Sequence, residues 1–143
     1  MKVSTKTKYA LEALLCIAVK DEPSVSIQTV SEETHISASY LEQLFFQLRK
    51  KGFLASRRGV NGGFYLAKSQ EQITVGDLYR ALETSLVPVS CVENADSCAN
   101  AIDETCASRS LWIGLCNRVY QSMDAITLAS LRDAYVIRME QMK

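Results

Sequence analysis

Residues 37–66 read SASYLEQLFFQLRKKGFLASRRGVNGGFYL, and this stretch decides the fold. Ser37 is a favourable helix N-cap and Gly52 a favourable helix stop. Between them, apolar residues recur at helical spacing on one side, namely Leu41, Leu44, Phe45 and Leu48. The sequence after Gly52 alternates like a strand, turns through a glycine-rich tip and returns as a second strand. The stretch therefore predicts a helix followed by a β-hairpin.

The residues that precede this stretch supply two more helices. Apolar residues from Thr5 to about Lys20 recur at helical spacing, and Ile27 to Thr34 predicts a short second helix. Residues HIS, at 35–37, then form a tight turn, so a helix-turn-helix occupies about residues 26–51 and a wing about 53–67. The predicted fold class is mainly α with a small β-hairpin, a winged helix-turn-helix followed by a long dimerisation helix.

Five residues are predicted to contact double-stranded DNA: Ser39, Tyr40, Gln43, Arg57 and Arg58. The first three lie on the helix expected to enter a major groove, where amides and hydroxyls hydrogen-bond to base edges or phosphates. Arg58 precedes the hairpin tip and is expected in a narrow minor groove, and Arg57 on a phosphate. Glu42 either accepts a hydrogen bond from cytosine, repels incorrect sites or is a solvated helix residue. Lys50 and Lys51 are alternatively only a solvated face.

The rest of the chain divides into two further segments. A helix capped by Thr74 completes the DNA-binding domain at residues 1–85, and residues 86–107 carry three cysteines, Cys91, Cys98 and Cys106. Residues 108–143 contain the dimerisation helix and a final helix from Thr127. Their apolar stripe is Leu111, Trp112, Leu115, Val119, Met123 and Ile126. Such a stripe predicts a homodimer, which suits recognition of two half-sites.

Composition excludes several classes of protein. The chain has 143 residues, of which 48% are hydrophobic, and 16 basic residues balance 16 acidic ones. Basic residues crowd the first sixty positions, and acidic ones surround the cysteines. No apolar run reaches the length of a membrane span and no signal peptide is evident, so we expect a cytoplasmic protein. The single histidine and the lack of a nucleophile with its base argue against an enzyme.

Clustered thiols in a reducing compartment favour metal binding or redox sensing over structural disulfides. Thiolates are preferred ligands of iron-sulfur clusters, and zinc binding or thiol redox sensing remain alternatives for the three cysteines of residues 86–107. Cys16 and Cys116 are expected to pack as small apolar residues. His35 lies in the turn of the helix-turn-helix, where an exposed or capping position is expected.

Several motifs together resemble the bacterial Rrf-type family of winged-helix regulators, which contains IscR, NsrR and CymR. They are KVSTKTKYALEALL, the stretch from Ser37 to Leu66, ITVGDLYRALE and the cysteine loop leading into SLW. The resemblance covers about residues 1–132. It implies a homodimeric transcription factor whose long helices cross, with the cysteine loop near the dimer interface. Family members with three cysteines in this loop hold an iron-sulfur cluster, so the resemblance implies a [2Fe-2S] or [4Fe-4S] cluster on Cys91, Cys98 and Cys106.

The fourth ligand is left open by the sequence. The positions from which family members supply it hold Arg109 and Lys8, and neither side chain is an iron ligand. The candidates are an exogenous thiol or water, Glu12 of the partner subunit, or a loop carboxylate from Glu93, Asp96, Asp103 or Glu104. The cysteine spacing, with gaps of six and seven residues, also leaves the cluster type open.

The predicted function is therefore a DNA-binding transcriptional regulator, expected to be a repressor, that an iron-sulfur cluster controls. Its signal is iron-sulfur status, redox stress or nitric oxide. The alternative is a cluster-free regulator that senses thiols or responds to a protein partner, as CymR-like members do.

Overall fold

The computed structural model of the chain describes residues 3–85, 92 and 106–143. These residues form six helices and one hairpin: α1 Thr5–Lys20, α2 Ile27–Thr34, α3 Ala38–Lys50, β1 Leu54–Arg57, β2 Gly63–Leu66, α4 Val75–Leu82, α5 Ala107–Asp124 and α6 Leu128–Gln141. The order confirms the predicted winged helix-turn-helix with a long helix after it. No helix in this part of the chain is long and apolar enough to cross a membrane.

Hydroxyl caps fix where the helices of the DNA-binding domain begin. The side chains of Ser26, Ser37 and Thr74 accept hydrogen bonds from backbone amides three residues ahead, over 3.1, 3.3 and 3.0 Å. Each bond satisfies an amide that has no partner inside its helix. The predicted caps Ser37 and Thr74 are confirmed, and α5 differs because its N-cap residue, Cys106, makes no side-chain capping hydrogen bond.

One hydrophobic core joins the helices to the hairpin. Its largest fully buried side chains include Leu14 of α1, Leu41, Phe45 and Leu48 of α3, Leu78 of α4 and Leu128 of α6. The predicted buried face of α3 is thereby confirmed. Small residues of α1, Ala10 and Ala13, are fully buried, so neighbouring elements can approach the backbone of α1 closely.

The C-terminal helix α6 packs back onto the N-terminal part of the chain. The amide of Val75 donates to the carbonyl of Ile126 over 2.9 Å, and that of Leu128 to Ile73 over 2.8 Å. Arg132 also donates to the side chain of Gln70 over 2.7 Å. The division at residues 85 and 108 stays a prediction, although α6 shares the core of the DNA-binding domain.

The end of α4 is tied to the start of α1 by Glu83. Its carboxylate accepts from the backbone amide of Ser4 over 3.0 Å and from the hydroxyls of Ser4 and Thr7. These hydrogen bonds, that of the Ser4 hydroxyl first, lower the pKa of Glu83. The chain is therefore held against α1 just before residue 86.

Candidate DNA-binding surface and cysteine site

The turn between α2 and α3 directs α3 outwards. His35 ends α2 in the left-handed conformation with φ 58° and is exposed, which confirms its predicted position. Ile36 is buried, and its carbonyl accepts from the Ser31 hydroxyl over 2.6 Å. The turn is therefore fixed by one apolar anchor and one hydrogen bond, and α3 begins immediately after it.

Two of the predicted DNA contacts lie together on the exposed face of α3. Ser39 and Gln43 are four residues apart and both are exposed, so their side chains project on the same side of the helix. Tyr40 is half-buried, and its ring meets that of Tyr9 edge to face with centroids 5.6 Å apart. The ring therefore helps to fix α3 on α1, and the DNA contact of its hydroxyl stays a prediction.

The other two predicted contacts lie on the wing. Strands β1 and β2 pair antiparallel with Arg57 opposite Gly63, and Arg58 follows at the start of the connection. Both arginines are exposed, and the Arg57 guanidinium lies 5.9 Å from the centroid of the Tyr65 ring. A cation is weakly attracted to an aromatic face. The Tyr65 ring therefore restrains the Arg57 side chain only weakly, and Arg58 lies beyond the end of the strand.

Backbone pairing anchors the wing to the residues before α2. Val25 and Phe64 exchange two backbone hydrogen bonds, each of 2.8 Å. Gly63 makes this approach possible, because a Cβ at that position would lie 2.5 Å from the carbonyl oxygen of Val25. The Ser24 hydroxyl also donates to the carbonyl of Asn61 over 2.8 Å. The wing and the helix-turn-helix are consequently held at a defined angle.

Positive charge concentrates where α3 meets the wing. Arg49 donates to the hydroxyl of Ser56 over 3.1 Å, which joins the last turn of α3 to β1. Lys50 and Lys51 follow and are exposed. Together with Arg57 and Arg58 they place five cations within ten residues of sequence. Such a surface attracts a phosphate backbone at long range.

Phe46 is a prominent residue of this surface that the sequence pattern did not single out. Phe46 is 66% exposed, although the adjacent Phe45 is fully buried. The available signal was its position, three residues after Gln43 and seven after Ser39, which places it on their face of the helix. The apolar periodicity placed Phe45 on the buried face and left Phe46 outside it, and the structure leaves the Phe46 ring exposed.

Cys106 is the one predicted cluster ligand within the described residues, since Cys91 and Cys98 lie outside them. Its thiol lies at the N-terminus of α5, with Sγ 3.3 Å from the Ser108 hydroxyl. The Ser108 hydroxyl first, and then the nearby backbone amide of Arg109, lower the pKa of Cys106. A helix N-terminus also favours an anion. The site therefore stabilises the thiolate, which is the metal-binding form.

The described residues do not by themselves form a complete metal site around Cys106. No group of three or more potential metal-binding side chains occurs among residues 3–85, 92 and 106–143. The loop carboxylates proposed as fourth ligands, Glu93, Asp96, Asp103 and Glu104, lie outside these residues. Cys116 is 8% exposed, and burial raises the pKa of the half-buried Cys16 thiol. Both observations fit the expected packing role of these two cysteines.

An ion-pair cluster joins the end of α5 to α4. Arg80 contacts Asp124 over 2.6 Å and Asp77 over 3.1 Å, and its guanidinium lies 5.4 Å from the Tyr120 ring centroid. Gly76 leaves room for the contact, because a Cβ there would lie 1.8 Å from the Asp124 carboxylate. The last turn of α5 is thereby fixed to the DNA-binding domain.

The predicted dimerisation stripe is partly uncovered within one chain. Leu111 and Leu115 of α5 are exposed at 63% and 46%, and Ile126, just after the helix ends, at 39%. The other three members, Trp112, Val119 and Met123, are half-buried. Exposed side chains of this size repeated along one helix are uncommon on a monomer surface. The stripe is therefore available to a partner.

An exposed polar recognition helix, an anchored basic wing and a long helix after them define a winged helix-turn-helix DNA-binding protein. The chain belongs to the Rrf2 family of iron-dependent transcriptional regulators, whose profile matches residues 3–134. It is therefore a transcriptional regulator and not an enzyme.

Similar proteins are known both by sequence and by structure. The chain is 38% identical over 132 residues to the transcriptional regulator IscR of Erwinia tasmaniensis, which covers 92% of this chain and 78% of the relative. The solved structure of CymR, the global cysteine regulator of B. subtilis, matches with a TM-score of 0.78 at 35% identity, covering 94% of this chain and 98% of CymR. IscR of T. potens matches with a TM-score of 0.72 at 35% identity, covering 94% and 88%. The fold is thus shared by the IscR and CymR regulators.

Proposed function

We propose that this protein is a homodimeric transcriptional repressor of the cytoplasm, whose DNA binding is controlled by an iron-sulfur cluster. The observation that carries the proposal is the position of Cys106, a half-buried thiol with a lowered pKa at the N-cap of the long helix α5. A thiolate at this point can bind metal and is covalently continuous with the helix that the dimer would use. The proposed signal is iron-sulfur status, redox stress or nitric oxide.

The proposed ligands are Cys91, Cys98 and Cys106, all of which are soft sulfur donors suited to iron-sulfur clusters. A bound cluster would supply a redox-active centre whose iron ligands can be exchanged. Lys8 is exposed and Arg109 half-buried, and neither cation can complete the ligand set. We therefore expect a fourth ligand from elsewhere, which makes the site labile and suits a sensor.

The ends of the cysteine segment support a route from the site to the DNA-binding surface. On one side Glu83 holds the chain against α1, and on the other Cys106 begins α5. The far end of α5 is fixed to α4 through Arg80 and Asp124. A rearrangement between residues 85 and 106 that displaces Cys106 would therefore move the start of α5 or strain these attachments. Either change would alter the spacing or rigidity of the paired recognition helices.

The proposed homodimer rests on the exposed stripe of α5 and on the geometry of DNA recognition. A helix-turn-helix dimer reads two half-sites about one helical turn apart. If two copies of α5 cross about a twofold axis, the stripe is buried and the two copies of α3 are related by the same axis, as two half-sites require. The exposed positions of Ser39 and Gln43 on α3 suit direct base contacts in each half-site.

The first experiment is anaerobic purification followed by a visible spectrum and iron and sulfide assays. It compares the wild type with Cys98→Ala and Cys106→Ala, and Cys16→Ala serves as the matched control because it lies outside the proposed ligand set. We expect stoichiometric iron and sulfide in the wild type and the control and a loss in the other two. DNA affinity is then measured with and without the cofactor, and equal affinities would refute cofactor control.

A second candidate function is a cluster-free regulator controlled by thiol chemistry or by a protein partner. The same lowered pKa of Cys106 favours it, because the thiolate is also the form that oxidants attack. The similarity to CymR agrees with this alternative. Its signature would be a colourless protein without iron or zinc, in which Cys106 reacts with a thiol reagent faster than Cys16 does.

A further inference from the structure

The exposed ring of Phe46 stands out on α3. The other large apolar side chains of this helix, Leu41, Leu44, Phe45 and Leu48, are at most 2% exposed, whereas Phe46 is 66% exposed. The core of the domain is complete without Phe46. Its ring therefore contributes little to the stability of the folded monomer. We expect the ring to be covered by a binding partner.

Helical geometry places Phe46 at the centre of the surface expected to face DNA. It follows Ser39 by seven residues and Gln43 by three, and precedes Lys50 by four, so all four lie on one face. The fully buried Leu41 and Leu48 mark the opposite face. Because the buried face fixes α3 on the core, the opposite face would point into the groove. Phe46 would then enter the groove beside Ser39 and Gln43.

We propose that Phe46 is a specificity-determining residue that packs against the C5-methyl group of thymine in the major groove. The inference rests on the proposed DNA-binding function. The thymine methyl is the apolar group that base edges present in this groove, and a phenylalanine ring can contact it. Ser39 and Gln43 beside it provide hydrogen bonds, so the face combines polar and apolar readout.

The surroundings of Phe46 favour DNA over a protein partner. Gln43, Gln47, Arg49 and Lys50 surround it in sequence and are exposed. The apolar stripe of α5 is different, since several large apolar residues recur along it. On DNA, the single ring would contact a thymine methyl group, and the surrounding amides and cations would contact base edges and phosphates.

The test begins by selecting preferred sites from a random duplex pool with the full-length wild-type protein purified anaerobically. Each thymine of the selected site is then replaced by deoxyuridine, which removes only the methyl group. We expect wild-type affinity to fall about fourfold at one thymine, the factor for burial of one methylene-sized group. Phe46→Ala should bind the thymine and uracil sites equally, and Phe46→Leu should keep part of the difference.

The outcomes separate this inference from the proposed function. Sequence-specific wild-type binding that is insensitive to every uracil replacement would overturn the role of Phe46 alone. A wild type that selects no sequence would overturn the DNA-binding proposal as well. Gln47→Ala is the matched control, and it should keep the sensitivity to the methyl group. A change of oligomeric mass in Phe46→Ala would assign the ring to a protein interface and refute the proposal.

Discussion

Replacement of Gly63 by alanine tests whether the wing is held by its pairing with Val25. The added Cβ would lie 2.5 Å from the Val25 carbonyl oxygen and 2.6 Å from its carbon, both backbone atoms that cannot rotate away. The strand β2 must therefore move off Val25, and the two 2.8 Å hydrogen bonds between Val25 and Phe64 are lost.

The size of the effect follows from those two bonds. At about 1 kcal/mol each they contribute about 2 kcal/mol to the free energy of unfolding. Alanine also lowers the conformational entropy of the unfolded chain, which offsets about 0.4–1 kcal/mol of that loss. Strain from the displaced strand adds to the loss, so we expect about 2 kcal/mol of destabilisation. For a chain of this size that corresponds to a decrease of about 6 °C in Tm.

The assays are urea unfolding, thermal unfolding and hydrogen exchange of the Val25 and Phe64 amides, which should lose protection. DNA affinity should fall even where the variant is fully folded, because the wing arginines are no longer held. Gly52→Ala is the matched control. It has φ 81° with no atom within 4 Å of the added Cβ, so it should cost about 1–2 kcal/mol through backbone strain while Val25 and Phe64 keep their protection. An unchanged Tm and unchanged exchange in Gly63→Ala would refute the reasoning.

Three further predictions concern the wing, the α1 contact and the dimer. Arg58→Ala should relax sequence preference in a binding-site selection, whereas Arg57→Ala should weaken all sites alike and reduce the salt slope by about 1; identical preferences for wild type and Arg58→Ala would count against minor-groove reading. Because the pKa of Glu83 is lowered in the folded state, its stabilisation is present above the unfolded pKa and is lost as pH falls through the folded value. Urea midpoints between pH 6 and pH 3 should therefore fall further in the wild type than in Glu83→Gln, and parallel curves would contradict this. Leu115→Glu should halve the mass measured by light scattering, because it places a charge in the apolar stripe. The control Asn117→Glu lies outside the stripe and should leave the mass unchanged. A Leu115→Glu variant that remains dimeric would exclude the proposed interface.

Local signals explain why so much of the fold was predictable. Ser37 and Thr74 act on amides three residues away, and α2 has the predicted bounds of Ile27–Thr34. The hairpin is equally local, since its strands are separated by a short glycine-rich connection. The predicted DNA contacts could be located on α3 and the wing for the same reason, although their binding roles stay predictions.

Contacts between distant residues were not predictable in this way. The pairing of Val25 with Phe64, the attachment of Arg80 to Asp124 and the bonds between Glu83 and α1 leave no periodic trace in the sequence. The packing of α6 on the first half of the chain belongs to the same group. Each contact depends on how two elements approach in space.

The sequence by itself determined the order of helices and strands, the helix caps and the basic wing, because capping, turn formation and apolar periodicity act over a few residues. Only the tertiary structure decided that the large apolar ring of Phe46 stays 66% exposed, and that the last turn of α5 is fixed to α4 by Arg80 and Asp124. Both depend on which elements, distant in the sequence, come together in space. Capping and apolar periodicity act over a few residues, so they carry no information about such long-range packing.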